Sequence, residues 1–203
     1  MRAQKRFMGR SVLACVGLGL LLIGLTGQTC TEDKDVEIVV AVELTATIPA
    51  EGNTNVYHGK TSVPLAGQVD IAKIEAEYDF EIQSVTVESA FFKIVTPQAG
   101  RTVTGTVGVC RGAECAAQTL IAYSSVAVDA PEYLDWTPAP LQAAGVAAVN
   151  AALADLVAGT PSAVDFFVDG NMTPIGEPTN FVWGALVRLN VVGVRNITVI
   201  DPI

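Results

Sequence analysis

The sequence predicts a mainly β protein, an antiparallel β-sandwich of immunoglobulin-like or jelly-roll-like type with one packed α-helix. Three observations lead there. Two long stretches alternate apolar and polar residues with a period of two, five shorter ones are rich in Val, Ile, Thr and aromatics, and a single segment repeats its apolar residues at helical spacing. Many short strands separated by Pro- and Gly-containing turns favour stacked sheets over an alternating α/β arrangement.

The elements follow in order. Residues 37–48 place Ile38, Val40, Val42, Leu44, Ala46 and Ile48 on one side, with Glu37, Glu43, Thr45 and Thr47 on the other. Residues 53–64 are polar and turn-rich and read as a loop. Residues 74–82 alternate without error, and further strands are expected at 83–95, 102–109 and 117–128. A helix is expected over about 140–158: Pro140 suits a first helical position, Leu141, Val149, Leu153, Leu156 and Val157 recur at helical spacing, and Gly159 with Pro161 supplies a stop. Its Ala-rich surface, with Gln142, Asn150 and Asp155 as polar residues, suits packing across one end of the sandwich. It has no Lys or Arg to meet lipid headgroups. Strands at 163–168, 181–191 and 195–200 complete the set, with residues 169–171 as a turn, and residues 181–191 turn Phe181, Trp183, Ala185, Val187, Leu189 and Val191 inward.

The first 29 residues have a different character. Arg2, Lys5, Arg6 and Arg10 precede an apolar run of 14 residues, 12–25, and then Thr26, Gly27, Gln28 and Thr29. That is the pattern of a secretory signal, and the run is short of the ~20 residues that a membrane-spanning helix needs. The expected organisation is therefore a signal peptide at 1–29, an acidic N-terminal tether at 30–36 and a single β domain at 37–203. A chain of this size buries roughly 70% of its unfolded surface, enough for one core.

Residues 30–203 carry 8 basic and 21 acidic side chains, a formal −13. Nucleic acid and anionic lipid surfaces both reward basic clusters, and none remains here, so nucleic acid is excluded as a partner.

Cys110 and Cys115, with four residues between them, stand between two alternating stretches, which reads as a disulfide across a hairpin loop in an oxidising compartment. Two thiolates without nearby His or further Cys do not fill a tetrahedral zinc shell. Cys30 is left over. A basic start, an apolar run and then a cysteine resemble the N-terminal region of bacterial lipoproteins, over residues 1–30 only. The resemblance implies lipid attachment at Cys30 and contact with a membrane through that anchor. Cleavage before Gln28 or Cys30 by an ordinary signal peptidase is the competing outcome.

Candidate chemistry is sparse. His58, the single histidine, falls in the expected loop, with no Gly-x-Ser-x-Gly elbow or His-Glu-x-x-His helix to give it partners. If residues 74–82 form a strand, Glu75, Glu77, Asp79 and Glu81 line one ribbon at ~6.5–7 Å spacing. That ribbon reads as a solvated face, as a calcium site built of hard oxygen ligands, or as a carboxylate pair for glycoside hydrolysis. A helix over 70–78 would scatter it. Residues 165–171 also suggest calcium, although Asp169-Gly170-Asn171 is an ordinary turn former. Tyr133 and Trp136 form an aromatic pair able to stack on a sugar ring or to staple the helix entry to the core.

These readings converge on an exported, lipid-anchored module of the cell envelope, at the outer membrane, in the periplasm or at the cell surface. It acts as a non-catalytic binding or structural domain with a glycan or an envelope protein as partner. The alternatives are an envelope glycan hydrolase using carboxylates and an assembly subunit using strand addition.

Overall fold

A computed structural model describes residues 30–52, 55–111, 115–175 and 178–201. Its strands are β1 (Cys30–Gly52), β2 (Val56–Pro64), β3 (Glu81–Thr96), β4 (Thr102–Arg111), β5 (Gln118–Ala127), β6 (Thr137–Ala139), β7 (Ala163–Thr173) and β8 (Thr179–Asp201). Two α-helices join them, α1 (Ile71–Tyr78) and α2 (Ala143–Val157). The strands form one antiparallel sheet in the order β5-β4-β7-β2-β1-β8-β3-β6.

The protein is mainly β, as expected, but the two stacked layers of a sandwich are not seen. The sheet curls until its ends nearly meet: Ile121 on β5 bridges Leu141, just beyond β6, and the Gln142 N–H donates to the Leu120 carbonyl at 2.9 Å. Two features of the chain account for the curl. β1 and β8 are each 23 residues long and pair over that whole length, so a continuous twisted ribbon forms the back of the wall. β3 and β4 carry register shifts, at Ile82/Ser84, Val87/Ser89 and Ile94/Thr96 and at Val103/Gly105 and Val107/Gly108, each of which adds twist and bend.

The alternation in the sequence sets which side chains fill the barrel. Leu44 and Ile48 on β1 and Phe181, Trp183, Val187, Leu189 and Val191 on β8 are buried, while Ile38 and Val42 pack partly buried against them. Val164, Phe166, Val168 and Met172 of β7 complete the lining opposite. Close-packed aromatic rings occupy the middle: Tyr57 meets Phe181 edge-on at 5.2 Å, and Trp183 lies 5.0 Å from Phe92 and 4.6 Å from Tyr123 between ring centroids.

Helix α2 packs on β3, β4 and β5 near the seam. Gly145 allows it to approach, since a Cβ there would lie 2.4 Å from the Leu120 Cα. Asn150 accepts the Val87 N–H at 2.8 Å, satisfying a donor of β3 where β6 no longer pairs with it. Asp155 forms an ion pair with Arg111 at the end of β4. The helix begins at Ala143, three residues after Pro140, because Leu141 and Gln142 are used to close the barrel.

Four local expectations are corrected. Residues 74–80 are not a strand, and the alternative helix over 70–78 forms instead: Asp70 caps α1 by accepting the Lys73 N–H at 3.0 Å, and Asp79 ends it in the left-handed region with φ 52° before β3 begins at Glu81. Capping outweighs the period of two, and Ile74 is buried at helical spacing from the partly buried Ile71 and Tyr78. The polar stretch 53–64 is mostly β2, whose inward residues Tyr57 and Val63 are buried while His58, Lys60 and Ser62 point out. Residues 169–171 continue β7 and do not turn, because both flanking strands pair through them. The acidic tether 30–36 is the first third of β1, held in register by 195–201.

Candidate functional site

Three of the acidic residues singled out above, Glu75, Asp79 and Glu81, converge on one corner of the fold, with a geometry different from a ribbon. Helix α1 turns at Asp79, Phe80 drops over Gly193, and β3 starts at Glu81. A Cβ on residue 193 would lie 1.8 Å from the Phe80 ring, so glycine is what lets this ring seat against β8. Around Phe80 lies an open recess of about 430 Å³ bordered by Glu75, Asp79, Glu81, Arg195 and Asn196. Glu77 is exposed on α1 and does not border it.

The carboxylates at this corner are already engaged in part. Glu75 accepts the Ile82 N–H at 3.1 Å, tying the end of α1 to β3, and Asp79 pairs with Arg195 at 2.8 Å. Both contacts join the helix corner to the barrel. Among the described residues, no group of three or more His, Cys, Asp or Glu side chains is disposed to hold a metal ion. The calcium reading rested on a strand that does not form.

Tyr133 and Trp136 are close in sequence but take different roles. Tyr133 stacks on Phe92 with centroids 5.7 Å apart and is partly buried against the core. Trp136 lies on the outside of the barrel over Gly184, with the Lys93 ammonium 4.5 Å from its ring. They do not present one stacking platform.

Cys110 and Cys115 are within disulfide reach, with Cα atoms 5.7 Å apart. Cys30 begins β1, its backbone opposite Asp201. The signal region, residues 1–29, lies outside the described residues, and none of the described helices is long and apolar enough to cross a membrane.

Two polar pairs on the outer face of β2 and β7 were not anticipated. His58 Nδ1 and Asp169 Oδ1 are 2.6 Å apart, directly opposite in register, and both side chains are at least half exposed. Among the described residues no hydroxyl or thiol hydrogen-bonds to the imidazole, so the pair has the orienting half of a nucleophilic triad and no nucleophile in contact. One step along, Lys60 pairs with Asp165 at 2.8 Å and lies over the Phe167 ring. Hydrogen bonds from Lys60 and Ser62 hold the Asp165 carboxyl below its ordinary range, against the opposing effect of its burial. The register of β2 with β7 was the missing signal, since it becomes visible only once 53–64 is read as a strand.

Inside the barrel, the Tyr57 and Tyr123 hydroxyls are 2.7 Å apart, and Tyr57 reaches the Thr104 carbonyl at 3.5 Å. Burial pushes both phenols well above their ordinary range. The Trp183 Nε1 lies buried near Tyr123 and, among the described residues, meets no acceptor in hydrogen-bonding geometry. Gly170 makes room for the Tyr57 hydroxyl, which would lie 2.4 Å from a Cβ at that position.

Fold and sites together define a small, nearly closed antiparallel β-barrel with a packed interior and polar groups arranged on its outer surface. In comparison with known proteins, the chain matches no family model, no curated protein and no solved structure.

Proposed function

We propose that this protein is an exported module of the cell envelope, attached to a membrane by lipid at Cys30 and acting through its outer surface as a non-catalytic binding or structural domain. The observation that carries the reading is the continuity of β1 from Cys30 into the barrel wall, paired with β8 along its entire length. A lipid on such a residue would hold the whole domain through a hydrogen-bonded ribbon, with no slack linker between. The basic and apolar pattern of residues 1–29 supports export, and the Cys110–Cys115 pair suits an oxidising compartment.

The hydrolase alternative draws on Glu75, Asp79 and Glu81 at the rim of the open recess. It is the weaker reading because Glu75 and Asp79 are engaged in fastening α1 to β3 and β8. Fractionation of the producing cells tests the proposal. The native chain is expected with the membranes and Cys30→Ser in the soluble exported fraction; recovery of both in the cytosol would overturn it.

A further inference from the structure

β1 pairs with β8 through every residue from Cys30 to Gly52, but among the described residues its other edge is in register with β2 only at Glu51 and His58. β2 pairs along its length with β7 and stays against β1 only as far as Gly59, where a Cβ would lie 2.1 Å from the Pro49 carbonyl oxygen. The chain returns toward β1 at Gln68, whose side chain reaches Thr45 at 3.5 Å. Among the described residues, no strand covers the edge over 36–44. Every second residue of that stretch directs its N–H and C=O away from β8, so about 26 Å of strand edge offers ladder groups to another chain.

The two rows of side chains beside this edge differ. Val36, Ile38, Val40 and Val42 share the side that continues the barrel interior, and Val36, Ile38 and Val42 are only partly buried. On the opposite side, Asp35, Glu37 and Glu43 are exposed, and no basic residue of β1 shares that row. Native sheets usually protect so long an edge with Lys, Pro or a bulge, and over 36–44 this one carries none of them. The acids disfavour a second copy: a two-fold pairing centred on the free stretch sets Glu37 of one chain opposite Glu43 of the other, and like charges directly opposite are destabilising, an effect reduced but not removed by the 3.1 Å pair of Glu43 with Arg188 of β8.

We propose that the 36–44 edge of β1 is a strand-addition site for an extended segment of another protein that alternates apolar and basic residues. Backbone hydrogen bonds supply the affinity, the apolar residues extend the Val36–Ile38–Val42 row, and Lys or Arg meets Glu37 and its acidic neighbours. The inference stands independently of lipid attachment at Cys30.

The test uses the full 203-residue chain and four capped nine-residue peptides: alternating lysine and valine, alternating glutamate and valine, and two forms of the lysine–valine peptide with alternate backbone amides N-methylated along one edge or the other. Fluorescence anisotropy gives affinities, and hydrogen exchange locates the site. The lysine–valine peptide is expected to bind at least tenfold more tightly than the glutamate–valine peptide and than one of the two methylated forms. Binding should slow exchange within 36–44, and Glu37→Lys, an exposed change, should weaken it severalfold. Equal binding of all methylated peptides would mean attraction by charge alone and would overturn the proposal. So would protection elsewhere on the barrel, no binding, or a concentration-dependent dimer already protecting this edge.

Discussion

The hydroxyls of Tyr57 and Tyr123, 66 residues apart in sequence, meet at 2.7 Å among the packed aromatics of the barrel. Each is the polar tip of a large apolar side chain, and each makes the other's burial tolerable. Tyr57→Phe or Tyr123→Phe removes one partner and leaves the other, so each single change is expected to cost about 1–3 kcal/mol in urea unfolding. The double variant should cost less than the sum. A strictly additive double would show that the two hydroxyls are not paired.

The same pair sets an alkaline limit. Both folded-state phenols are raised above the ordinary value of 10.0, so the protonated form is favoured by folding. Their contribution is fully present below pH 10 or so and is lost as pH rises beyond it, because the unfolded chain then ionises and the folded one does not. Unfolding free energy should fall above about pH 10 in the native chain and fall less steeply in the double Phe variant.

Asp165 sets the acid side with the opposite sign. Its folded carboxyl is lowered from 3.8 chiefly by hydrogen bonds from Lys60 and Ser62, so its contribution is present above that value and lost as pH falls through the lower folded one. Lys60 is half exposed, which screens the pair. Asp165→Asn is expected to cost about 1 kcal/mol at pH 7, and the difference from the native chain should shrink toward about pH 2.

Gly145 reverses an ordinary rule. In an exposed helix interior, Gly→Ala stabilises by about 1 kcal/mol. Here the added Cβ would sit 2.4 Å from the Leu120 Cα and 2.5 Å from the Thr119 carbonyl oxygen, both backbone atoms that cannot swing aside. Gly145→Ala is expected to lower stability by about 3 kcal/mol in thermal or urea unfolding, through separation of α2 from β5. A neutral or stabilising result would mean that the helix does not seat on the seam as described.

Reduction of the Cys110–Cys115 link, or Cys110→Ala with Cys115→Ala, is expected to cost about 2 kcal/mol, since the closed loop is short. The measurement is urea unfolding with and without dithiothreitol. No difference would indicate free thiols.

The strands were legible where burial on one face imposes a period of two. β1 and β8 show this best, as Leu44, Ile48, Trp183 and Leu189 are all buried as the alternation required. Alternation says which face is inward but not which strands are neighbours, so it could not distinguish two layers from one closed sheet. That choice lies in the bulges of β3 and in the Ile121–Leu141 bridge, which depend on contacts distant in sequence. The 74–82 stretch satisfied both periods at once, and only the Asp70 cap separates them. The acidic corner was visible as a cluster of residues; its partner Arg195 was not, because it comes from the far end of the chain.

Intact-mass and N-terminal peptide analysis of the protein recovered from its native cells bears on the anchored-module reading with the fewest intermediate steps. The expected result is a chain beginning at Cys30 and carrying a thioether-linked diacylglycerol. A chain that retains residues 1–29, or one beginning near position 30 with an unmodified Cys30, would contradict it.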